Sequence, residues 1–114
     1  MQILGIVFVG TRTPQRAAMS AFVRDVLGLE RLEVAGIEAD LYGLPSGDAF
    51  AVSDDGAEAG DRTIGLLVAD LDAAIEELHA AGVATDGVAE NARWRYTHFT
   101  APDGKLYELV EERS

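Results

Sequence analysis

Apolar and polar positions follow two different periods along this chain, and the changes of period divide it into strands and helices. Two apolar runs of strand length, ILGIVFV from Ile3 and TIGLLVA from Thr63, match each other with Gly5 aligned to Gly65. A stretch with helical spacing follows each run. The pattern therefore predicts a strand followed by a helix, and predicts this unit twice.

The two helices carry different termini in the sequence. For the first, Thr13 is the predicted N-cap, Pro14 the first helical residue and Gly28 the stop, with an apolar stripe formed by Met19, Phe22, Val23, Val26 and Leu27. For the second, Asp70 starts the helix and Gly82 follows its end. Its spacing turns Leu71, Ile75 and Leu78 inward and Glu76, Glu77 and His79 outward, so His79 is predicted to be solvated.

A second pair of matching segments extends the repeat. PSGDAFAVSDD from Pro45 and PDGKLYELVEE from Pro102 align without a gap, and Gly47 and Gly104 occupy the turn position that needs a positive φ. Before these turns, ERLEVAG and IEADLYGL are predicted to form a hairpin that turns near Ala35-Gly36, and the second half offers short strands at 83–85 and 93–100. Each half then has the order β-α-β-β-β.

The repeat predicts an α+β fold in which two βαβββ modules form one curved mixed sheet with an open cleft. The modules cover roughly residues 1–55 and 62–114 of a single domain, joined by the Gly/Asp-rich stretch SDDGAEAGDR. In such a module one face of the sheet carries no helix, and this bare face is predicted to line a ligand cleft.

Composition excludes several classes of protein. The 114 residues are 48% hydrophobic, so disorder is excluded, and 9 basic against 20 acidic residues give a net charge of −11, which disfavours nucleic acid as a partner. There is no cysteine, hence no disulfide and no thiolate chemistry, and no apolar run has the length of a membrane span. We therefore expect a cytoplasmic protein that binds neither nucleic acid nor a membrane.

Three segments carry a resemblance to a known family. AFVRDVLGLE from Ala21, VADLDAAIEELHAAGV from Val68 and HFTAPDGKLYELVE from His98 resemble the vicinal oxygen chelate superfamily. This superfamily includes glyoxalase I, extradiol dioxygenases, fosfomycin-resistance enzymes and the bleomycin-resistance binding proteins. The resemblance covers nearly the whole chain and is more specific for the fold than for an activity.

The resemblance also implies where a metal would be held, and this sequence departs from that pattern. The metalloenzymes of the superfamily use four positions, on the first and last strands of each half, and only Glu108 is retained here. Its repeat partner is Ala51, the second opening strand offers Thr63, and residues 3–9 contain no metal donor. We expect no metal, no other cofactor, and none of the superfamily's usual metal-dependent activities.

The cleft itself is predicted to be roomy and to contain one carboxylate. Strand alternation places Glu108 with Leu106 and Val110, and the repeat adds the small residues Ala49, Ala51 and Ser53 to that face. Glu108 then has one of two roles. It acts as a general acid or base, or it binds a cationic group of the ligand. The alternative is a structural ion pair with Arg95 or Arg93.

The strand RWRYTHFT supplies aromatic side chains for the cleft. Trp94, Tyr96 and His98 share one face, and Arg93, Arg95, Thr97 and Phe99 share the other; which face lies with Glu108 stays open, as does an ordinary core role for Trp94. The predicted ligand-binding residues are Trp94, Arg95, Tyr96, His98 and Glu108, with Glu108 as the candidate catalytic residue.

Three alternative functions are compatible with these residues. The first is a metal-free small-molecule-binding protein of the bleomycin-resistance type, whose ligand is cationic or aromatic. The second is a lyase-like or isomerase-like enzyme that uses Glu108 as acid/base, with Arg95, Tyr96 or His98 stabilising an oxyanion. The third is a regulatory subunit that binds a partner through its sheet edge. A homodimer is expected in each case, by side-by-side packing or by exchange of modules.

Overall fold

A computed structural model describes residues 1–54 and 62–113 of the chain, with the side chain of residue 62 left aside. Most of the predicted connector thus lies outside the described residues. The elements are β1 (Gly5–Arg12), α1 (Arg16–Asp25), β2 (Glu30–Leu32), β3 (Asp40–Gly43), β4 (Ala49–Ser53), β5 (Arg62–Leu67), α2 (Leu71–Ala80), β6 (Ala89–Glu90), β7 (Trp94–Thr100) and β8 (Leu106–Glu112).

All eight strands belong to one curled mixed sheet in the order β2-β3-β4-β1-β5-β8-β7-β6. Each opening strand pairs in parallel with the last strand of its own half, β1 with β4 and β5 with β8, and the two opening strands pair antiparallel at the centre. The predicted α+β class and βαβββ order are confirmed. The strand predicted at 83–85 is reduced to a single bridge between Thr85 and Phe99, and β6 forms a few residues later.

Both helices pack on the convex side of the sheet. Val23 of α1 packs with Tyr42 and Val52, and Leu71 of α2 packs with Val68, Ala74 and Leu109. A third cluster, on the other side, contains Leu41, Ala49, Ala51, Trp94 and Val110. Because strand side chains alternate, the cleft-facing and helix-facing sets are both buried, and this makes the sheet the centre of the fold.

The terminus and the stripe predicted for α1 need correction. The helix begins at Arg16 rather than Pro14, and Thr13 accepts a hydrogen bond from the Gln15 N–H in the preceding turn. The helix also ends at Asp25, so Val26 and Leu27 follow it and remain exposed, as does Phe22. The strands below α1 cover only one turn of the apolar stripe.

For α2 the predicted signals are confirmed. The Asp70 carboxylate accepts from the Ala73 N–H as an N-cap, and Gly82 has a φ of 81° just past the end. His79 is exposed and contacts Thr85 Oγ1 at 2.9 Å. No helix among the described residues is long and apolar enough to cross a membrane.

The two halves of the sheet also meet at the rim of the cleft. The Ala35 carbonyl accepts from the Ala92 N–H at 2.9 Å, and a Cβ on Gly36 would lie 3.1 Å from Asn91 Cβ. The Gly47 carbonyl accepts from the Arg93 guanidinium. These contacts join the β2–β3 connection and the β3–β4 turn of the first module to the β6–β7 turn of the second, and they close one side of the cup.

Candidate functional site

The concave side of the sheet encloses a cavity of about 640 Å³ that is open to solvent along one side. Both modules supply its walls. Its lining is apolar and aromatic at Phe8, Leu41, Ala51, Trp94, Tyr96 and Val110, and polar or charged at Arg12, Glu38, Asp54, His98 and Glu108. A cleft that combines an apolar and aromatic wall with convergent polar groups is a common form of small-molecule site.

Small residues on the central strands make room for the cavity. Ala51 and Ser53 of β4 line it, as the repeat predicted. On β1 and β5 the Phe8 side chain lies over two glycines: a Cβ on Gly10 would be 3.1 Å from the Phe8 ring, and one on Gly65 would be 2.7 Å from Phe8 Cβ. Phe8 therefore forms the apolar floor at the middle of the sheet.

The cleft-facing side of β7 is the one with Trp94, Tyr96 and His98. His98 is directly opposite Glu108 in the antiparallel pairing of β7 with β8, so both side chains lie on the same face. All four residues line the cavity. The question that the sequence left open is thereby decided by the register of one hairpin.

Glu108 is paired with histidine. Its Oε2 lies 2.9 Å from His98 Nε2, and its side chain is only 11% exposed. The other ring nitrogen, Nδ1, lies 2.9 Å from Asp86 Oδ2, while Asp86 Oδ1 accepts from the His98 backbone N–H at 2.7 Å and from the Thr97 hydroxyl at 2.9 Å. His98 thus sits between two carboxylates.

These contacts shift the acidity of the groups involved. The hydrogen bond to Glu108, together with the bond to Asp86, raises the pKa of His98 although burial opposes the shift. Burial raises the pKa of Asp86, but its bonds from the His98 backbone, the His98 ring and Thr97 together lower it below the usual value. Burial, and then the charge of Glu108, raise the pKa of Tyr96.

The two arginines considered as partners of Glu108 lie elsewhere. Arg95 faces the helices and pairs with Glu111 at 2.9 Å and Asp72 at 3.3 Å, so the structure does not bring it to the cavity. The Arg93 guanidinium stacks over the Trp94 ring, 4.5 Å from its centroid. Glu108 therefore forms no ion pair with Arg93 or Arg95.

Trp94 serves both the core and the cavity wall. It is 5% exposed and packs with Leu41, Ala51 and Val110, while its ring also lines the cleft. Within residues 1–54 and 62–113 its buried indole N–H has no hydrogen-bond acceptor. Tyr96 continues the wall and meets the His98 ring edge to face at 5.6 Å.

The cleft does not offer a set of donors for a divalent metal. Of the positions that the resemblance implies, Ala51, Thr63 and Glu108 all line the cavity, but only Glu108 carries a strong donor and it already binds His98. The Phe8 ring fills the centre of the sheet between them. No cluster of three or more His, Asp or Glu side chains suited to a metal occurs in the described part of the chain.

Asp86 and Phe8 are among the site residues that the sequence did not predict. Asp86 stands in the loop segment TDG and resembles an ordinary turn residue, and Phe8 sits in a strand that is apolar throughout. The unusual pair of glycines that face Phe8, one on each central strand, is the only signal in the sequence for a close approach there. For Asp86 no comparable signal exists.

The fold and the cleft define a class of protein: two βαβββ modules that enclose a ligand-sized cup. Solved structures share it. They include methylmalonyl-CoA epimerase from Mycobacterium tuberculosis, with a TM-score of 0.75, 20% identity, and coverage of 98% of this chain and 90% of that one. The epimerase of Streptomyces coelicolor in complex with 2-nitronate-propionyl-CoA also scores 0.75, at 19% identity, covering 99% and 100%.

A halotolerant catechol dioxygenase, BphC, matches with a TM-score of 0.73 at 20% identity, over 99% of this chain and 41% of that one. These neighbours confirm the resemblance to the vicinal oxygen chelate superfamily at the level of the fold. Neither a protein-family profile nor a curated protein sequence matches the chain. At these sequence identities the structural similarity shows the fold alone.

Proposed function

We propose that this chain is a metal-free small-molecule-binding protein whose ligand carries a planar group. The observation that carries the proposal is the cavity of about 640 Å³, walled by Trp94 and Tyr96 and containing the Glu108–His98 pair. Aromatic walls favour planar ligands because stacking adds to the burial of apolar area. Glu108 and His98 supply a polar anchor at one end of the cleft.

The absence of a metal belongs to the same proposal. It is supported by the donor set, in which Glu108 stands alone among the positions implied by the resemblance, and by the Phe8 ring that fills the sheet centre. The fold neighbours are consistent with a ligand cleft, since one epimerase structure holds a coenzyme A derivative. Because the sequence contains no cysteine and therefore no disulfide, we also propose the cytoplasm as its location.

Filling the cleft should weaken binding. In a thermal-shift and Trp94-fluorescence screen of planar aromatic compounds, we expect saturable ligands for the unchanged protein, and Ala51→Leu should weaken them at least tenfold because the longer side chain enters the cavity. Ala17→Leu, on the exposed face of α1, is the control and should bind as before. Equal affinity in Ala51→Leu and Ala17→Leu would place the ligand outside the cleft.

A second candidate function is an acid/base enzyme, and the Glu108–His98 contact favours it. A buried carboxylate hydrogen-bonded to a histidine can exchange a proton with a bound ligand, and His98 would hold the charge that develops. Glu108→Gln separates the two candidates. If a reaction exists, we expect this variant to keep ligand affinity within a few fold and to lose at least 100-fold in kcat; a binding protein shows no turnover in either form.

We also propose a homodimer. Phe22, Val26 and Leu27 form an apolar patch at the end of α1 that is exposed in the single chain, with Val26 68% exposed. Such patches on soluble proteins often mark interfaces. Sedimentation should show a dimer that Val26→Asp converts to a monomer, whereas Val88→Asp, at another exposed valine, leaves it intact. A monomeric unchanged protein would refute the proposal.

A further inference from the structure

The ring of His98 makes two contacts of the same kind at its two ends. Nε2 lies 2.9 Å from Glu108 Oε2, and Nδ1 lies 2.9 Å from Asp86 Oδ2. An ionised carboxylate only accepts hydrogen bonds, and a neutral imidazole has one N–H and one lone pair. A neutral ring would therefore satisfy one carboxylate and set its lone pair against the other. Both contacts are hydrogen bonds when the ring carries two N–H groups.

We propose that His98 is an imidazolium that cancels the charge of Glu108, and that this makes the cleft selective for an uncharged planar ligand with a hydroxyl or amide donor. Asp86 is the specificity-determining residue, since it holds the ring in this state. This inference rests on the proposed function and names its ligand class. It narrows the cationic or aromatic ligand expected from the sequence to an uncharged one.

The position of Asp86 explains how it acts on the cleft. It lies in the loop between α2 and β6, and its side chain receives three hydrogen bonds, from the His98 backbone, the His98 ring and Thr97. These bonds fix the ring orientation, so that Nε2 can only point at Glu108. Asp86 is half exposed, with 55% of its side chain accessible, and Glu108 is the buried partner.

Other titratable groups also line the cleft. On β7, Tyr96 presents its ring to His98 and is neutral, its pKa being raised. Arg12, Glu38 and Asp54 line the cavity from the first module. His98 and Glu108 are thus the pair that a ligand meets next to the aromatic wall.

The ligand class follows from what remains available on this pair. One oxygen of Glu108 is used by His98, and in the described part of the chain no protein group donates to the other. An uncharged hydroxyl or amide N–H can donate to it while the flat part of the ligand stacks on Trp94 and Tyr96. An ammonium group there would face the imidazolium as well, and the repulsion weakens its attraction to Glu108.

The charge state can be tested without a ligand. At pH 7, nitrogen-15 NMR of the imidazole side chains should show both ring nitrogens of His98 protonated, with His79→Gln used to assign the two histidines. Asp86→Asn should shift His98 towards the neutral pattern. Asp103→Asn is the matched control, because Asp103 also accepts backbone and side-chain hydrogen bonds but lies in another turn, and it should change nothing. A neutral His98 in the unchanged protein overturns the proposal.

The selectivity is tested with two probes of equal shape, 2-naphthylmethanol and 2-naphthylmethylammonium, by titration calorimetry. We expect the alcohol to bind at least tenfold more tightly, and this ratio to fall at least tenfold in His98→Gln, which keeps a neutral donor for Glu108. Preference for the ammonium, an unchanged ratio in His98→Gln, or binding of neither probe overturns the ligand class. A protonated His98 in a protein that binds no compound of the wider screen refutes the proposed function while the charge state stands.

Discussion

Gly65→Ala is expected to lower the free energy of unfolding by about 1–3 kcal/mol, the usual cost of forcing an extra methyl group into a packed core. A Cβ at this position would lie 2.7 Å from Phe8 Cβ and 3.2 Å from Val110 Cγ2. Phe8 Cβ is attached directly to the β1 backbone, so no change of rotamer moves it away. The central pair of strands, β1 and β5, must separate locally or Phe8 must leave the cleft floor.

Gly5→Ala provides the matched control for this substitution. Gly5 lies in β1 and pairs with Leu67 of β5, but no heavy atom comes within 4 Å of the position that a Cβ would take there. In a strand, alanine is otherwise better than glycine by about 0.5–1 kcal/mol, so Gly5→Ala should be neutral or slightly stabilising. Urea denaturation of both variants decides the point: equal stabilities would show that the close approach of Phe8 to Gly65 is not a constraint.

Asp40→Asn is expected to cost up to about 2 kcal/mol of stability at neutral pH. Asp40 on β3 accepts two hydrogen bonds from the Arg16 guanidinium, at 3.0 and 3.2 Å, and one from the Ser20 hydroxyl at 2.5 Å. Arg31 lies 3.4 Å away on the neighbouring strand. These donors, with Arg16 first and Ser20 second, lower the pKa of Asp40 to about 2. The cluster ties α1 to the edge of the sheet.

The effect should depend on pH in a defined direction. Because the pKa of Asp40 is lower in the folded chain than the ordinary value of 3.8, its contribution is complete above about pH 4 and is lost as the pH falls towards 2. The difference in stability between the unchanged protein and Asp40→Asn should therefore be constant from pH 7 to about 5 and shrink below pH 4. Urea denaturation over this range measures it.

Asp25→Asn is the control for Asp40. Asp25 pairs with its neighbour Arg24 on the exposed end of α1, with 61% of its side chain accessible, and such surface pairs contribute little. We expect no measurable change in stability for Asp25→Asn at any of these pH values. A loss as large as that of Asp40→Asn would show that the general charge of this acidic chain matters, rather than the Asp40 cluster.

Much of the fold was predictable because its signals are local. The offset repeat, the strand-then-helix periods and the turn glycines Gly47 and Gly104, which both have a positive φ, depend on residues close together in the chain. Asp70 capped its helix as predicted for the same reason. The prediction of the apolar stripe on the first helix was wrong where tertiary packing decides the outcome. Val26 and Leu27 have the right spacing for the stripe, but they remain exposed because no strand lies below them.

The site was less predictable, because it depends on register. Whether Trp94, Tyr96 and His98 or the opposite set faces Glu108 depends on the conformation of the hairpin between β7 and β8, and a shift of one residue reverses every side chain. For the same reason Arg95, predicted in the ligand set, is brought to Asp72 and Glu111 on the helix side.

By itself the sequence determined two acidic, cysteine-free βαβββ modules, a cleft with small residues on β4, and the lone carboxylate Glu108 among the positions where the resemblance implies metal ligands. Only the tertiary structure decided that His98 is its partner, that Asp86 holds His98, and that Phe8 covers the sheet centre. The physical reason is the separation along the chain of the residues that interact. Periodicity and turn chemistry act between neighbours in the chain, whereas hydrogen bonds and steric contacts in the cleft join residues whose separation is set by strand pairing.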